Sequence, residues 1–491
     1  MSIIDPVLDT IDGILAWIST SVGQLSETYC ELETADSRHA LVAKDGSLVS
    51  ILRIHGATFL VGPDEFERMH TGLTQTLRTC LSRPGHAIQV FFMHDKETVV
   101  RELEHILAPA RHTAKQLNLM LEDLFSERVN ELYRYCATES MYFVVWTRPF
   151  SLTKTQLDQS VKDSAARLKT AKVPPIRNAQ NFLLGVPELR EGHDSLVNSL
   201  LTDLNAVGLL SSLLDVHTAC RAIRESVDPD FTDSKWRPYL PGDRIPIRET
   251  KNFEGDISDV LWPPLSNQLI PRDGEILNLR TARLGDRLYG TVSIDLFPKE
   301  LAPFGTLFNR VLNARIPWRI SFLLEGGGSQ AMGLKSTLAT ILSFAHANNR
   351  LIGNSLDLIR YLEVNTDDAI VRLRVTASTW AKVGEEKVLR IRTAELAKAI
   401  QGWGYCETSE ISGDAYAAML STTLGISTQS VGTPAIAPLS DVTFMLPFTR
   451  PASPWTTGAV LFRSLDGKPW PYQPGSTQQT TWIDLMYASH V

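Results

Sequence analysis

The residues best placed for chemistry stand between Gly326 and Thr337, in the string Gly-Gly-Gly-Ser-Gln-Ala-Met-Gly-Leu-Lys-Ser-Thr. A glycine-rich turn that follows a strand and opens a helix is where a phosphate loop belongs. The candidate nucleotide-binding residues are Gly328, Gly333, Lys335 and Ser336. The spacing is one residue wrong, because a phosphate loop reads G-x-x-x-x-G-K-[ST] and Leu334 separates Gly333 from Lys335. One added residue turns a helical position by about 100°. Lys335 would point away from the phosphates, and Ser336 would miss the Mg²⁺. No later strand supplies four apolar residues followed by an acid to hold the metal. The plainer reading is a turn capping a helix at 330–347, with a nucleotide-binding enzyme as the alternative.

Other chemistries find less. The run Asp228-Pro229-Asp230-Phe231-Thr232-Asp233 resembles the start of a calcium loop. It lacks Gly at the sixth position and has Tyr239 where a bidentate Glu belongs, so a turn and capping cluster fits better. The eleven histidines include no H-E-x-x-H and no Cys/His group at metal spacing. No G-x-S-x-G elbow is present. Arg390 and Arg392, near Lys387, read as a solvated helix face. The five cysteines, Cys30, Cys80, Cys136, Cys220 and Cys406, are odd in number and never C-x-x-C, which suits reduced thiols. Residue types and spacing thus give no catalytic residue and no metal site.

Composition places the chain among ordinary globular proteins, with 43% hydrophobic and 21% charged residues. At about 100–200 residues per domain, 491 residues make two to four domains. The net charge of −7 argues against a dedicated nucleic-acid binder, which needs clustered Lys and Arg. No stretch reaches 18 apolar residues without charge, so no transmembrane segment is expected. Near the N-terminus, Asp5-Pro6 reads as a helix cap. Ile4, Val7, Leu8, Ile11, Ile14, Leu15 and Ile18 then form one apolar stripe. Asp5, Asp9 and Asp12 mark the wet side. An acidic face disfavours anionic lipid, so a protein groove is the expected cover for this interaction helix.

The periodicities predict an α+β protein: two related halves with ββαβ units, joined by an ordered Pro-rich connector. The expected division is an amphipathic helix at 1–27, a first half at 28–227 and a connector at 228–275. A second half at 276–426 and a loop-rich tail at 427–491 complete it. In the first half, strands flank Asp45-Gly46, a helix runs from Asp64 to Leu81, and a strand follows at His86–Met93. Helices are expected at 96–108 and 113–136, the second with Leu117, Met120, Leu121, Leu124, Val129 and Leu132 as its stripe. In the second half, strands Leu277–Arg283 and Leu288–Ile294 flank Gly285-Asp286, and Trp318–Leu324 is a strand. Helices are expected at 353–363 and 385–401. The strand at 87–93 matches that at 318–324, and the helix at 153–171 matches that at 383–401. The connector holds Trp236, Tyr239 and Trp262, which predict apolar cover. In the tail, strands flank Asp466-Gly467.

Several long strings resemble one family. They include Cys30-Glu31-Leu32-Glu33-Thr34 with Leu41 to Val49, Pro84 to Val90, and Glu102 to Pro109. Further ones are Asp228 to Asp233 with Trp236 to Asp243, Leu261 to Ser266, and Ile316 to Phe322. Together they resemble the N-terminal half of the DotO/IcmB-type ATPase of type IVB secretion systems, called TraU in I-type conjugative plasmids. The resemblance implies the docking and assembly half of a bacterial ATPase that energises protein secretion or conjugative DNA transfer. It implies a place in the cytoplasm, peripheral at the inner membrane. The implied partners are other copies of the chain, as a hexamer or a hexamer of dimers, with channel subunits and other ATPases. Direct nucleic-acid contact is not expected. In the family the ATP site would follow the stretch matching Thr481 to Tyr487, so ATP and Mg are expected only for that C-terminal domain. This chain, which reaches Val491, is expected to be inactive alone.

Overall fold

The computed structural model describes residues 26–171, 180–243, 262–270, 274–296, 300–327, 368–411 and 413–473. The apolar stripe of Ile4 to Ile18 lies outside the described residues, as do the helices expected at 330–347 and 353–363. Contacts divide the chain into two compact units. One comprises 1–94 with 140–451, and the other 95–139 with 452–491.

The first unit is built on one sheet. Its strands are β1 (Leu32–Ala35), β2 (Leu41–Ala43), β3 (Leu48–Ala57), β4 (His86–Asp95), β5 (Thr138–Thr147) and β6 (Leu209–Leu213). They continue with β7 (Gly274–Asn278), β8 (Thr281–Leu284), β9 (Arg287–Leu296), β10 (Trp318–Glu325), β11 (Ile370–Lys382), β12 (Glu407–Glu410) and β13 (Ala435–Pro438). The order is β1-β2-β3-β5-β4-β10-β11-β9-β8-β7, with β6 on β3, β12 on β9 and β13 on β11. Outward from the β4–β10 junction, both halves read alike. The fold is α+β, and its topology repeats.

The helices repeat too. The chain forms α1 (Ser26–Tyr29), α2 (Pro63–Leu81), α3 (Val99–Gln116), α4 (Glu122–Leu132), α5 (Lys154–Ala171) and α6 (Pro187–Ala206). Then come α7 (Val216–Val227), α8 (Leu265–Leu269), α9 (Phe304–Ala314), α10 (Glu386–Gln401), α11 (Ala415–Ser421) and α12 (Leu439–Phe444). Helix α2 links β3 to β4 as α9 links β9 to β10. Helix α6 precedes β6 as α10 precedes β12. The helix at 383–401 therefore corresponds to α6, not to the helix at 153–171. The reason is burial. Helix α6 sinks Leu189, His193, Val197, Leu200 and Leu204 into the core, whereas of the described α5 side chains only Ser160 is buried.

The junction strands are buried on both faces because both faces are covered, the first mostly apolar and the second mixed. Ile88, Val90 and Phe92 of β4 with Ile320, Phe322 and Leu324 of β10 face the core under α2, α6, α9, α10 and α12. Phe91 and Leu323 face the core under α7, α8 and α11. Three turns follow their sequence signals, with positive φ at Gly46 (+84°), Gly285 (+57°) and Gly467 (+90°). The strand expected at Leu277–Arg283 is instead two, β7 and β8, folded back on each other.

A buried cation crosses the second face. Arg319 of β10 is fully buried, and among the described residues no carboxylate pairs with it. It donates to Ser378 Oγ (3.0 Å), Thr422 Oγ1 (2.9 Å), Met419 O (3.2 Å) and Ser226 O. Its guanidinium lies over the rings of Tyr289 and Trp380. Burial pushes its pKa down to about 10, which leaves it charged at neutral pH. Gln89 of β4 continues the seam, donating to Ser321 Oγ and Thr423 O and accepting from Gly425 N–H, each at 2.8 Å. Residues 419–425 are thereby sewn across both junction strands. Deleting this guanidinium leaves buried acceptors unsatisfied, at a cost of about 1–3 kcal/mol. Arg319→Met is expected to lose stability in that range in urea unfolding, while Arg280→Met, at an exposed turn, changes it by less than about 0.5 kcal/mol.

Candidate functional site

Of the glycine-rich string, Gly326 and Gly327 are described; Gly328, Gly333, Lys335 and Ser336 lie outside the described residues. A Cβ on Gly326 would stand 2.4 Å from Arg83 O and 2.8 Å from Leu81 O. Gly327 has φ +73°, and its Cβ would stand 2.7 Å from Pro84 Cβ. Close packing on the turn after α2 thus accounts for both glycines without a ligand.

Just before them, at the end of β10, three arginines surround Glu325. Arg374 donates through Nη1 to Oε2 at 2.8 Å, Arg372 Nη1 lies 3.5 Å from the same oxygen, and Arg148 Nη2 donates to Oε1 at 3.2 Å. Strand register builds the group. Glu325 pairs with Arg372 across β10–β11, and Arg374 stands two residues further on the same face. Arg148 follows directly on β5, and its guanidinium lies over Phe150. The cluster borders a cavity of about 860 Å³ whose walls include Lys44, Asp45, Glu31, Asp414 and Thr428. Sequence reading missed it because the four residues come from three separate strand ends.

A second buried group looks like nucleophile and base but is closed. His193 Nε2 lies 2.8 Å from Ser50 Oγ, and Nδ1 lies 2.8 Å from Thr147 Oγ1. Ser50 donates its proton to His39 O at 2.7 Å, and both Ser50 and His193 are buried. The hydroxyl is spent on a carbonyl, so this is a satisfied core histidine. Burial first, and the nearby His86 second, hold the His193 pKa down at about 4. An unfolded imidazole titrates near about 6.5. The unfolded chain takes the proton first, so this stability is full above about pH 6.5 and is lost as pH falls toward 4. The slope reaches about 1.4 kcal/mol per pH unit. His193→Gln is expected to flatten the pH 6.5–4.5 dependence of the urea midpoint by that component; an unchanged slope would contradict it.

The calcium-like run is a capping cluster. Asp228 accepts from Asp230 N–H, Asp233 accepts from Lys235 N–H, and Asp230 makes a two-pronged ion pair with Arg287 (2.6 and 2.7 Å). Among the described residues no group of three His, Cys, Asp or Glu could hold a metal. All five cysteines are free and buried, and burial pushes the Cys30 and Cys406 thiols up to about 12. Arg392 turns inward to Trp380 O, while Arg390 stays exposed. The connector aromatics are not the anchors expected of them: Trp236 and Trp262 are half-buried and Tyr239 is exposed. Leu240, Leu265, Leu269 and Ile270 are buried instead.

In the second unit, α3 and α4 form a helical hairpin whose core includes Leu103, Leu107, Phe125, Val129 and Leu132. The unit also holds the hairpin of β14 (Val460–Arg463) and β15 (Pro469–Tyr472). The gap expected at 109–112, between helices at 96–108 and 113–136, does not occur, since α3 runs on through Pro109. The break comes at Asn118, which is left-handed (φ +54°). Leu119 N–H donates to Ala114 O and Asn118 N–H to Lys115 O, the pattern of a helix stopped by a left-handed residue. The expected stripe of Leu117, Met120, Leu121 and Leu124 is therefore no core. Leu117 is 64% exposed, Leu119 50%, Leu124 59%, and Met120 wholly exposed. Asn118 within the apolar run was the available signal.

Comparison with protein-family models gives no match, and comparison with curated proteins gives none either. Among the described residues no helix is long and apolar enough to cross a membrane.

Proposed function

We propose that this chain is a docking and assembly module of the DotO/IcmB type, acting by protein–protein contact at the cytoplasmic face of a secretion or conjugation channel. The exposed apolar turn between α3 and α4 carries the reading. Leu117, Leu119, Met120, Leu121 and Leu124 crowd eight residues, and contiguous exposed apolar surface marks an interaction site. The resembling strings named above support the family.

The occupant is a neighbouring protein subunit rather than an anionic lipid surface. Residues 95–139 hold nine Asp and Glu against six Lys and Arg, whereas lipid-binding tips are basic. Burying one such side chain is worth about 1.5–3 kcal/mol. Leu117→Ser with Met120→Ser is therefore expected to weaken self-association or channel-subunit recovery by at least about tenfold. Light scattering and co-purification of the full chain read this out. The exposed positions leave the thermal melt unchanged. Unchanged mass and unchanged recovery would overturn the reading.

A further inference from the structure

We propose that the arginine cluster at the end of β10 is a binding site for a phosphate group. Three guanidinium groups face one carboxylate, Glu325, which leaves a local surplus of two positive charges. Arg372 and Arg374 crowd the same carboxylate oxygen. Each guanidinium has five N–H donors. Among the described residues each gives one to Glu325, and none of their nitrogens is buried without a partner. Arg148 and Arg374 both line the open cavity of about 860 Å³.

The other carboxylates on that wall are engaged elsewhere. Glu31 accepts from Thr428 N–H and O–H, both at 3.1 Å. Asp45 accepts from Ser47 N–H and O–H at 2.9 and 2.8 Å. Asp414 caps α11 and accepts from the Tyr29 hydroxyl at 2.8 Å. None of the three takes an arginine donor, but each keeps its negative charge, so over the whole wall they offset the arginines and Lys44, and the positive surplus is local to the guanidinium cluster. Lys44 adds a cation to the same wall.

Charge selects the ligand class. A carboxylate would cancel half of the surplus, whereas a phosphate monoester carries about −1.5 to −2 at neutral pH. Guanidinium forks match two phosphate oxygens at once. The site uses none of Gly328, Gly333, Lys335 and Ser336, and it stands apart from the docking reading.

The test is calorimetric titration of the full chain with inorganic phosphate and with AMP, adenosine serving as the probe without phosphate. Saturable phosphate binding is expected, weakened about tenfold or more by Arg374→Met and by Arg148→Met. Adenosine should not bind. AMP binding tighter than phosphate would assign the site to a phosphate ester, and equal affinity to the free ion; either supports the site. Glu325→Gln removes the competing carboxylate and is expected to tighten phosphate several-fold, a gain that misfolding cannot produce. No saturable binding of either phosphate probe, binding indifferent to both arginine substitutions, or loss of binding in a folded Glu325→Gln protein would overturn the proposal.

Discussion

The antiparallel pairing of β4 with β10 is the constraint on which the sheet unit depends. Eight residue pairs, from Trp318–His94 to Glu325–Ala87, turn a set of six strands and a set of seven into one sheet. Neither strand could stand at an edge. Both carry apolar side chains on both faces, and an exposed edge of that kind is an aggregation hazard. Arg319 and Gln89 then fix which loop closes over the junction. A buried charge without a carboxylate needs polar cover, and each guanidinium nitrogen of Arg319 meets an acceptor, Nε two of them. The stretch from Met419 to Gly425 is held because it supplies two of those acceptors and meets Gln89.

Around that frame, the two halves differ in what hangs from equivalent connections. Between β4 and β5 the chain leaves the sheet to form α3 and α4, which belong to the second compact unit. Between β5 and α6 it adds α5, while β11 runs almost directly into α10. The repeated core is apolar and well covered. Exposed apolar side chains gather at the α3–α4 turn, and three arginines gather around one glutamate at a strand end. The first of these lies outside the sheet, where loop sequence can change without disturbing it.

Much of the frame was legible in the sequence. Asp45-Gly46 and Asp466-Gly467 announced their hairpins, and the stripe of Met69, Leu73 and Leu77 announced α2. The apolar runs at 86–93 and 318–324 announced buried strands. Their pairing was not legible, because partners such as Trp318 and His94, 224 residues apart, share no local signal; only the common element order hinted at it. Apolar content misled at the α3–α4 turn, where Asn118 rather than Pro109 stops the helix. The phosphate-loop resemblance drew attention to Lys335 and Ser336, while Glu325 and its arginines became visible only when β5, β10 and β11 came together.

Native-state hydrogen exchange of the full chain tests the junction most directly. If β4 and β10 bind the halves into one cooperative unit, the slowest amides of β3, β4, β9 and β10 open with a single free energy equal to that of global unfolding. Denaturant should move them together. Exchange of β3 and β4 through a lower-energy opening that leaves β9 and β10 protected would contradict it.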